Sequence, residues 1–462
     1  MLAGAAALLG GCRQPVDLGC RDCDAVLISI DTLRADHLGA YGYARATSPN
    51  LDALARQSIL FERASSVSYH TAESHMAVFT SLYPSVHGVQ NASSAEQAAP
   101  LPATIPTFVE TLRSHGFHTV GFHAGGNVSP TYGFGRGFES YRWTDSDVKP
   151  AVEWVEQEAQ KIDGRFFLFY HTYRPHDPYL PRPPLDSMWE ADYQGTVLGN
   201  AAEFAKRLAR PDDFAERRNL FWSNVRRDRP EDIRKVVALY DGEIRQVDEE
   251  VGRLLDAIGR LDRQVVVYLM SDHGEEFLEH GHFLHDQVYD ELLHVPWMIR
   301  LPGGRVAMRV AQPVSLLDLA PTLLEMLGIE VPTGIQGRSV VPTLDERQEA
   351  PRAAIYAEKV ATVNPATGAP SSLKRALTRD KLKLILLPDG RSELYDLAAD
   401  PGEHLDLAGT EGDRVQSMLQ AAERLAGVND SLRRTFSRGK SSAVTPVDEE
   451  TLEQLRALGY LK

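Results

Sequence analysis

The chain reads Val-Val-Val-Tyr-Leu-Met-Ser-Asp-His-Gly-Glu-Glu-Phe-Leu-Glu-His-Gly-His-Phe-Leu-His at residues 265–285, where an apolar segment runs directly into acidic residues and histidines. Six apolar residues in succession are typical of a central parallel strand covered on both faces. Open parallel sheets bind ligands just beyond the carboxyl ends of such strands, which is where Asp272 and His273 stand. We expect Gly274 to let the backbone turn sharply there. A carboxylate beside an imidazole could hold a divalent metal ion; alternatively, Asp272 caps a following helix and the histidines are surface groups.

A second apolar run, Ala-Val-Leu-Ile-Ser-Ile at residues 25–30, ends in the same way, because Asp31 follows it directly. This run also predicts a buried strand. Carboxylates at the ends of two central strands can meet at one edge of a sheet. We therefore expect Asp31 and Asp272 to lie close together.

Predicted strands and helices alternate along most of the chain. Further strands are expected at residues 119–122 and 165–170, and helices at residues 50–56 with Asn50 as the cap, 105–115, 231–259 and 316–324. The long helix should bury one apolar stripe, formed by Ile244, Val247, Val251, Leu254 and Leu255. The alternation predicts an α/β fold, a doubly wound and largely parallel sheet with helices on both faces.

The chain divides into three predicted regions. Residues 1–24 form a tether, and residues 25–350 form a catalytic α/β domain. Within that domain the charge-rich stretch 183–232 is expected to be a helical insertion near the mouth of the site. Residues 351–462 are predicted to form a smaller C-terminal α+β subdomain, with strands near 353–356, 375–378 and 381–386 and a terminal helix.

The N-terminal segment indicates an exported protein. Its apolar run is too short to span a bilayer, and Leu-Gly-Gly-Cys at residues 9–12 resembles the lipobox of a bacterial lipoprotein signal, with Cys12 as the acylated residue. The positively charged start of such a signal is missing, so we expect an earlier start codon. This interpretation predicts a protein anchored by lipid in the bacterial cell envelope and facing the periplasm; the alternative is a frayed cytosolic N-terminus. Cys20 and Cys23 are then expected to form a structural disulfide.

The overall charge argues against one class of partner. The 462 residues include 49 Lys and Arg against 64 Asp and Glu, which gives a formal charge of −15. Nucleic acids are bound by clustered basic residues, and no such cluster stands out, so we exclude them as partners.

Separated segments now point to one family. The candidate site residues come from Asp31, the stretch 68–75, His176, and Asp272-His273 with His285. Together with ordered motifs they resemble the sulfatase branch of the alkaline phosphatase superfamily over nearly the whole chain after residue 24. The motifs are Ile-Asp-Thr-Leu-Arg-Ala-Asp at 30–36, Leu-Tyr-Pro-Ser-Val-His-Gly at 82–88, Pro-His-Asp-Pro at 175–178, Ser-Asp-His-Gly at 271–274, Leu-Tyr-Asp-Leu at 394–397 with Asp-Pro-Gly-Glu at 400–403, and Leu-Arg-Ala-Leu-Gly-Tyr at 455–460.

One departure from the family pattern concerns the nucleophile. Sulfatases carry a cysteine or serine in a Cys/Ser-x-Pro-x-Arg motif, which is converted to formylglycine, 13 residues before the proline of a Tyr-Pro pair. Counting back from Pro84 gives Thr71, and threonine cannot become formylglycine. Threonine at this position is similar to the phosphoethanolamine and glycerophosphate transferases of the same superfamily, although those usually have Glu where this chain has Asp31. The Gly-Lys-x-His pattern of sulfatases has no clear counterpart in Gly-Phe-His-Ala at 121–124.

The resemblance implies a role for each site residue. Asp31, Thr71, Asp272 and His273 would hold one divalent metal ion, and calcium, magnesium, manganese and zinc all remain open. Thr71 would attack the substrate and form a covalent threonine ester. His176 and His285 would hold equatorial oxygens or protonate the leaving group. Arg34 and His75 are candidate substrate-binding residues. A structural role remains the alternative: loop ordering for His176 and turn capping for Arg34.

Three functions remain open from the sequence. The first is a metal-dependent hydrolase or transferase of phosphate mono- or diesters that uses Thr71. The second is a sulfuric ester hydrolase without formylglycine, and the third is an inactive protein that binds anionic glycans or lipids. The expected partner in each case is an anionic ester or ligand, with a glycan, lipid headgroup or small molecule as carrier. The oligomeric state is left open.

Overall fold

A computed structural model of the chain describes residues 17–94, 97–208, 210, 214–344, 354–359 and 374–437. Residues 1–16, which include Cys12, and the motif at 455–460 lie outside these ranges. The strands, numbered β1 to β17, are Asp24–Ile30, Ile59–Ser65, Gln90–Ser94, Gln97–Ala99, Phe117–His123, Ser140–Trp143, Arg165–Thr172, Val265–Met270, Glu276–Phe277, Phe283–Leu284, His294–Arg300, Met308–Val310, Val314–Ser315, Ile355–Glu358, Arg375–Arg379, Leu382–Leu386 and Ser392–Asp396.

The α-helices lie on both sides of the main sheet and beyond it. Numbered α1 to α12, they are Pro49–Ala55, Thr71–Thr80, Pro84–His87, Phe108–Ser114, Lys149–Gln157, Ala201–Arg207, Phe214–Ser223, Pro230–Gly259, Asp290–Leu293, Leu319–Met326, Val341–Leu344 and Gly412–Ser437.

The main sheet has the order β12-β2-β11-β8-β1-β7-β5-β6, with β13 paired to β2. Strand β1 lies at its centre, and β7 and β8 pair with it in parallel on either side. Every residue of β1 and β8 is buried, because both faces of the sheet are covered by helices and loops. The predicted class, a doubly wound and largely parallel α/β fold, is confirmed.

Strands β2 and β11 were not predicted from the sequence. Strand β11 runs antiparallel to both of its neighbours, β2 and β8. Its pairing with β2 shifts register between Val295 and Trp297, which is where Pro296 interrupts the strand. A proline inside an apolar run argues against a central strand. For this reason the sequence pattern did not predict β11.

The longest helix, α8, follows the predicted pattern. All members of the expected stripe are buried: Ile244, Val247, Val251, Leu254 and Leu255. The stripe belongs to the apolar cluster between α8 and the sheet. The apolar periodicity alone predicted this helix at residues 231–259, and the observed helix begins at Pro230 and ends at Gly259.

The start of α1 differs from the prediction. The N-cap is Ser48, whereas Asn50 lies inside the first turn. Asp248 of α8 accepts hydrogen bonds from the backbone N–H groups of Asn50 and Leu51 at 3.0 and 2.8 Å. The first turn is therefore satisfied by a carboxylate from a distant helix, which the local sequence could not show.

A second, antiparallel sheet has the order β14-β15-β16-β17. It packs with α12 against the main domain, and one apolar cluster contains core residues of both parts, for example Phe79, Leu384 and Met418. The strand expected at 353–356 begins later, at Ile355, and Ala353 lies outside the described residues. A disulfide joins Cys20 and Cys23 just before β1. Among the helices of the described part of the chain, none combines the length and hydropathy needed to cross a bilayer.

Candidate active site

The candidate site lies at the carboxyl edge of the two central strands. Because Ser29 of β1 is level with Met270 of β8, the residues that follow both strands emerge side by side. One ligand atom each of Asp31, Asp272 and His273 lies within 4.8 Å of the other two, and all three residues are buried. The structure thus brings the two carboxylates together with the histidine.

These three side chains form a suitable cation site. Both carboxylate oxygens of Asp31 and Nε2 of His273 are buried without a hydrogen-bond partner. Burial and the neighbouring Asp272 raise the pKa of Asp31 well above its usual value. Burial acts in the same direction on Asp272, but His273 and His75 outweigh it and hold that pKa below its usual value. A divalent cation would let both carboxylates stay charged and would satisfy the unpartnered atoms, so the residues fit the expected metal.

Thr71 is the first residue of α2 and is fully buried. It follows His70, which has extended backbone angles of φ −129° and ψ 140°. The Thr71 side chain is close enough to Asp31 to favour the charged form of that carboxyl group. A hydroxyl group at the N-terminus of a helix also lies where the helix dipole stabilises negative charge. Thr71 therefore combines access to the carboxylate cluster with a favourable electrostatic position.

His75 lies one turn further along α2 and is fully buried. Its Nδ1–H points to the backbone carbonyl of Thr71 at 2.9 Å and to Asp272 Oδ2 at 3.2 Å. Its Nε2 is 2.8 Å from the hydroxyl oxygen of Ser29. Both ring nitrogens are engaged inside the protein, so the structure places His75 behind Asp272, whereas the sequence suggested a substrate-binding residue.

Arg34 is also surrounded by protein acceptors. Its guanidinium group donates to both carboxylate oxygens of Asp36 at 2.9 and 2.8 Å, to the Glu275 carbonyl at 2.9 Å and to Glu279 at 2.5 Å. These bonds tie the segment after β1 to the segment after β8. The geometry favours a structural role over the substrate contact that the sequence suggested.

His285 and His176 lie next to the candidate metal ligands. The His285 ring centroid is 4.7 Å from that of His273 and 5.2 Å from that of His176. His285 Nδ1 is 3.0 Å from Glu275 Oε1, and the Tyr179 hydroxyl group donates to the other carboxylate oxygen, Oε2. Among the described residues this arrangement directs His285 Nδ1–H toward the carboxyl group and leaves Nε2 as the acceptor.

Burial disfavours the charged form of both histidines. Burial is the main cause that lowers the pKa of His285, to about 4, and burial also lowers the pKa of His176. Neutral imidazoles can accept a proton from water or an alcohol. Burial also raises the pKa of Glu275, the partner of His285, to about 7.

The predicted insertion reaches the site through α7. Arg218 Nε and Trp222 Nε1 donate to Asp177 Oδ2 at 2.7 and 2.9 Å. Asp177 follows His176, whose Nδ1 is 3.0 Å from the Asp177 carbonyl. Helix α7 therefore holds the loop that carries His176.

Several residues near the site were not found from the sequence. His171, at the end of β7, has its Nε2 3.7 Å from Asp31 Oδ2. Its position at the end of a central strand could have identified it as a site residue from the sequence. His70 directly precedes Thr71, and its partner Lys359 directly follows β14. No local pattern could indicate Lys359, because its position depends on how the second sheet docks.

Two family models and several known proteins match this chain. A family model described as Sulfatase matches residues 24–329, and one described as N-sulphoglucosamine sulphohydrolase, C-terminal, matches residues 278–428. N-acetylglucosamine-6-O-sulfatase of Bacteroides thetaiotaomicron is 24% identical over 88% of this chain and 87% of that protein. Arylsulfatase K of Xenopus laevis is 27% identical over 59% of this chain, and the match spans only 53% of that protein.

A solved structure shows the same fold. The phosphonate monoester hydrolase of Agrobacterium radiobacter superposes with a TM-score of 0.66 and 22% identity over 90% of this chain and 96% of that chain. At this level of identity the similarity concerns the fold alone.

Proposed function

The chain belongs to the sulfatase family, and on that basis we propose that it is a metal-dependent hydrolase or transferase of phosphate mono- or diesters that uses Thr71 as its nucleophile. The observation that carries this proposal is the position of Thr71 at the N-terminus of α2, beside Asp31. A threonine cannot supply the formylglycine chemistry of sulfatases. It can, however, form an ester with a phosphoryl group.

Asp31, Thr71, Asp272 and His273 would hold the metal ion. When bound, that ion would lower the pKa of the Thr71 hydroxyl group and polarise a non-bridging oxygen of the substrate. Thr71 Oγ forms a bond to phosphorus and its hydroxyl group gives up a proton, while the bond to the ester oxygen breaks and the departing alcohol takes up one proton, so the step is balanced. The N-terminus of α2 stabilises the charge that develops on the transferred group.

The second half of the reaction requires a base. A water molecule or an acceptor alcohol forms a bond to phosphorus and loses a proton, while the bond from phosphorus to Thr71 Oγ breaks and the threonine hydroxyl group takes up one proton. His285 is neutral, and Glu275 fixes its orientation. We assign this proton transfer to His285, whose ring centroid lies 5.2 Å from that of His176.

The second candidate function is sulfate ester hydrolysis by the unmodified threonine. The relative named N-acetylglucosamine-6-O-sulfatase favours it, because that match covers most of both chains. An inactive binding protein is the third candidate, but the preserved cluster of Asp31, Asp272 and His273 argues against it. The substrate in each case is an anionic ester on a glycan, a lipid headgroup or a small molecule.

A substrate panel separates these functions. We would compare p-nitrophenyl phosphate, a phosphodiester, a phosphonate monoester and p-nitrophenyl sulfate on the wild type, Thr71→Ala and Thr71→Ser. Phosphate esters should turn over fastest, and Thr71→Ala should lower their turnover by at least about a thousandfold, whereas Thr71→Ser should retain part of it. Turnover that survives Thr71→Ala would rule out the threonine mechanism, and a clear preference for the sulfate would favour the second function.

We also propose that Cys12 anchors the protein by lipid in the bacterial cell envelope, facing the periplasm. The disulfide between Cys20 and Cys23 supports an oxidising compartment. Labelling with radioactive palmitate in a bacterial host tests this proposal. The wild type should incorporate label and partition with membranes, and Cys12→Ala should do neither.

A further inference from the structure

The segment that follows β8 contains a second group of metal-ligating side chains. Glu276 lies in β9, His280 lies between β9 and β10, and Glu291 lies in α9. One ligand atom of each residue lies within 4.8 Å of a ligand atom of the other two. The side chains of His280 and Glu291 are only 11% and 7% exposed. None of the three is among the ligands assigned to the candidate active site, so this group is a separate candidate for an ion.

Glu276 provides a carboxylate oxygen that the surrounding protein does not satisfy. The residue is fully buried. Its Oε1 accepts hydrogen bonds from the backbone N–H groups of His280 and His282, each at 3.1 Å. Its Oε2 is buried and has no hydrogen-bond partner in the part of the chain that the structure describes. Because Oε1 is engaged, Oε2 is the oxygen that Glu276 offers to the group, and a buried oxygen of this kind requires a donor or a cation.

The His280 ring presents the correct nitrogen to the same group. Its Nε2 is 3.1 Å from the backbone carbonyl of Glu403, and a carbonyl only accepts, so Nε2 carries a proton. Nδ1 faces Glu291 Oε1 at 2.6 Å. The Tyr289 ring stacks on the imidazole with 3.6 Å between centroids, which holds the plane of the ring. Metal-binding histidines commonly donate their other N–H to a backbone carbonyl in this way.

We propose that Glu276, His280 and Glu291 bind a second divalent metal ion, and that this ion is zinc. Calcium and magnesium prefer sites made of oxygen alone, whereas zinc accepts an imidazole nitrogen with carboxylate oxygens at about 2.0–2.2 Å and takes water as a fourth ligand. The ion lies beside the contact between His280 and Glu291, not between the two atoms. Nδ1 gives up its proton to solvent and binds the ion, and the Glu291 carboxylate turns one oxygen toward it.

The role of this ion is structural. It would join β9, the loop that leads to β10, and α9, which are separate elements of the chain. The same loop continues to His285, and the Glu403 carbonyl connects the His280 ring to the segment after β17. The inference goes beyond the proposed function and does not depend on it, because none of the three ligands has a part in the ester chemistry.

Counting zinc ions per chain tests the site without relying on catalysis. The metal-free full chain would be equilibrated by dialysis against buffered zinc, and bound zinc would be measured by elemental analysis. The proteins are the wild type, His280→Gln, Glu276→Gln, Asp272→Asn and the control His282→Gln, which changes an exposed histidine of the same loop. Diffraction from zinc-loaded wild-type crystals at the zinc absorption edge locates the ions, so a variant that fails to fold does not remove the test.

The wild type and His282→Gln should each bind about two zinc ions per chain, one at each group. His280→Gln and Glu276→Gln should each retain about one, because losing a direct ligand should weaken binding at this site by at least about a hundredfold. Asp272→Asn should also retain about one, and the double variant Asp272→Asn/His280→Gln none. A single zinc ion in the wild type, two ions that persist in His280→Gln, or no anomalous peak between Glu276, His280 and Glu291 would overturn the proposal. Failure of the proposed function would appear separately, as absent phosphate ester turnover in the substrate panel.

Discussion

His75 shows how a buried residue can control the candidate metal site without contacting substrate. Its Nδ1–H faces Asp272 Oδ2 at 3.2 Å, and Ser29 holds the opposite side of the ring. Partners of this kind orient a metal-ligating carboxylate and keep it charged.

We predict that His75→Ala weakens metal binding by about tenfold to a hundredfold, because Asp272 loses its orientation and a partner that favours its charged form. Titration calorimetry with manganese measures this effect. His115→Ala is the matched control, since His115 is exposed on the surface far along the chain from the site. Unchanged affinity in His75→Ala would contradict the positioning role.

Individual site residues differ in how visible they were in the sequence. Asp31 and Asp272 were accessible because each directly follows a run of buried apolar residues, and the ends of neighbouring parallel strands meet. The partners of His75 and Arg34 were not accessible. Both residue types suit substrate binding, and only the packing of α2 and of the 275–279 segment shows that their polar atoms are engaged inside the protein.

At the level of elements, the sequence predicted the strands that are buried on both faces of the sheet. Strand β8 has the predicted bounds, and β1 begins one residue earlier than expected. Strands β5 and β7 extend beyond their predicted ends into polar residues such as His123 and Thr172. These residues lie near the carboxyl edge of the sheet, where the site requires polar groups, so the hydrophobic pattern ends before the strand does.

A glycine is required at position 274 for a reason other than the sharp turn that the sequence predicted. The residue does not adopt a positive φ. Instead, a Cβ atom at this position would lie 1.9 Å from the backbone oxygen of Glu291 in α9. The close approach is fixed by a hydrogen bond from the Gly274 N–H to the Leu292 carbonyl, at 2.8 Å.

We predict that Gly274→Ala lowers the free energy of unfolding by about 1–3 kcal/mol and weakens metal binding, because α9 and the Asp272-His273 segment must move apart. Gly259→Ala is the control, since a Cβ at the end of α8 would contact nothing within 4 Å. Urea denaturation and metal titration measure the two effects. Equal stability of both variants would show that the close contact is not required.

Over the whole molecule, buried charges connect the second sheet to the main domain. Lys383 of β16 is fully buried, and its Nζ lies 2.8 Å from Asp290 of α9 and 2.9 Å from Glu403. The sequence predicted a separate smaller subdomain, but long-range ion pairs of this kind leave no local pattern.

We predict that Lys383→Met lowers the free energy of unfolding by about 3–5 kcal/mol, because Glu403 would remain buried without a counter-charge. Lys381→Met, an exposed change two residues earlier, should alter stability by less than about 0.5 kcal/mol. Urea denaturation compares the two. A small effect of Lys383→Met would mean that these ion pairs are not required to hold the second sheet in place.

A second connection between the two parts depends on pH. His280 Nδ1 lies 2.6 Å from Glu291 Oε1, and its Nε2–H faces the Glu403 carbonyl at 3.1 Å. Burial opposes the charged ring, but Glu291 and Glu403 outweigh it and raise the pKa of His280 to about 9. Since this value lies above that of the unfolded chain, about 6.5, the pair stabilises the folded state fully below about pH 6.5 and loses its contribution as the pH rises through about 9.

We therefore predict that His280→Gln destabilises the protein more at about pH 6 than at about pH 10, because only the wild type loses a charged pair between these values. Thermal denaturation of both proteins across this range measures the difference. Burial also raises the pKa of the neighbouring Glu276 to about 7, so the titration of Glu276 falls within the same pH range. His282→Gln, in the same loop, serves as the control. A constant difference between wild type and His280→Gln at all pH values would mean that the ring contributes by packing on Tyr289 and not by its charge.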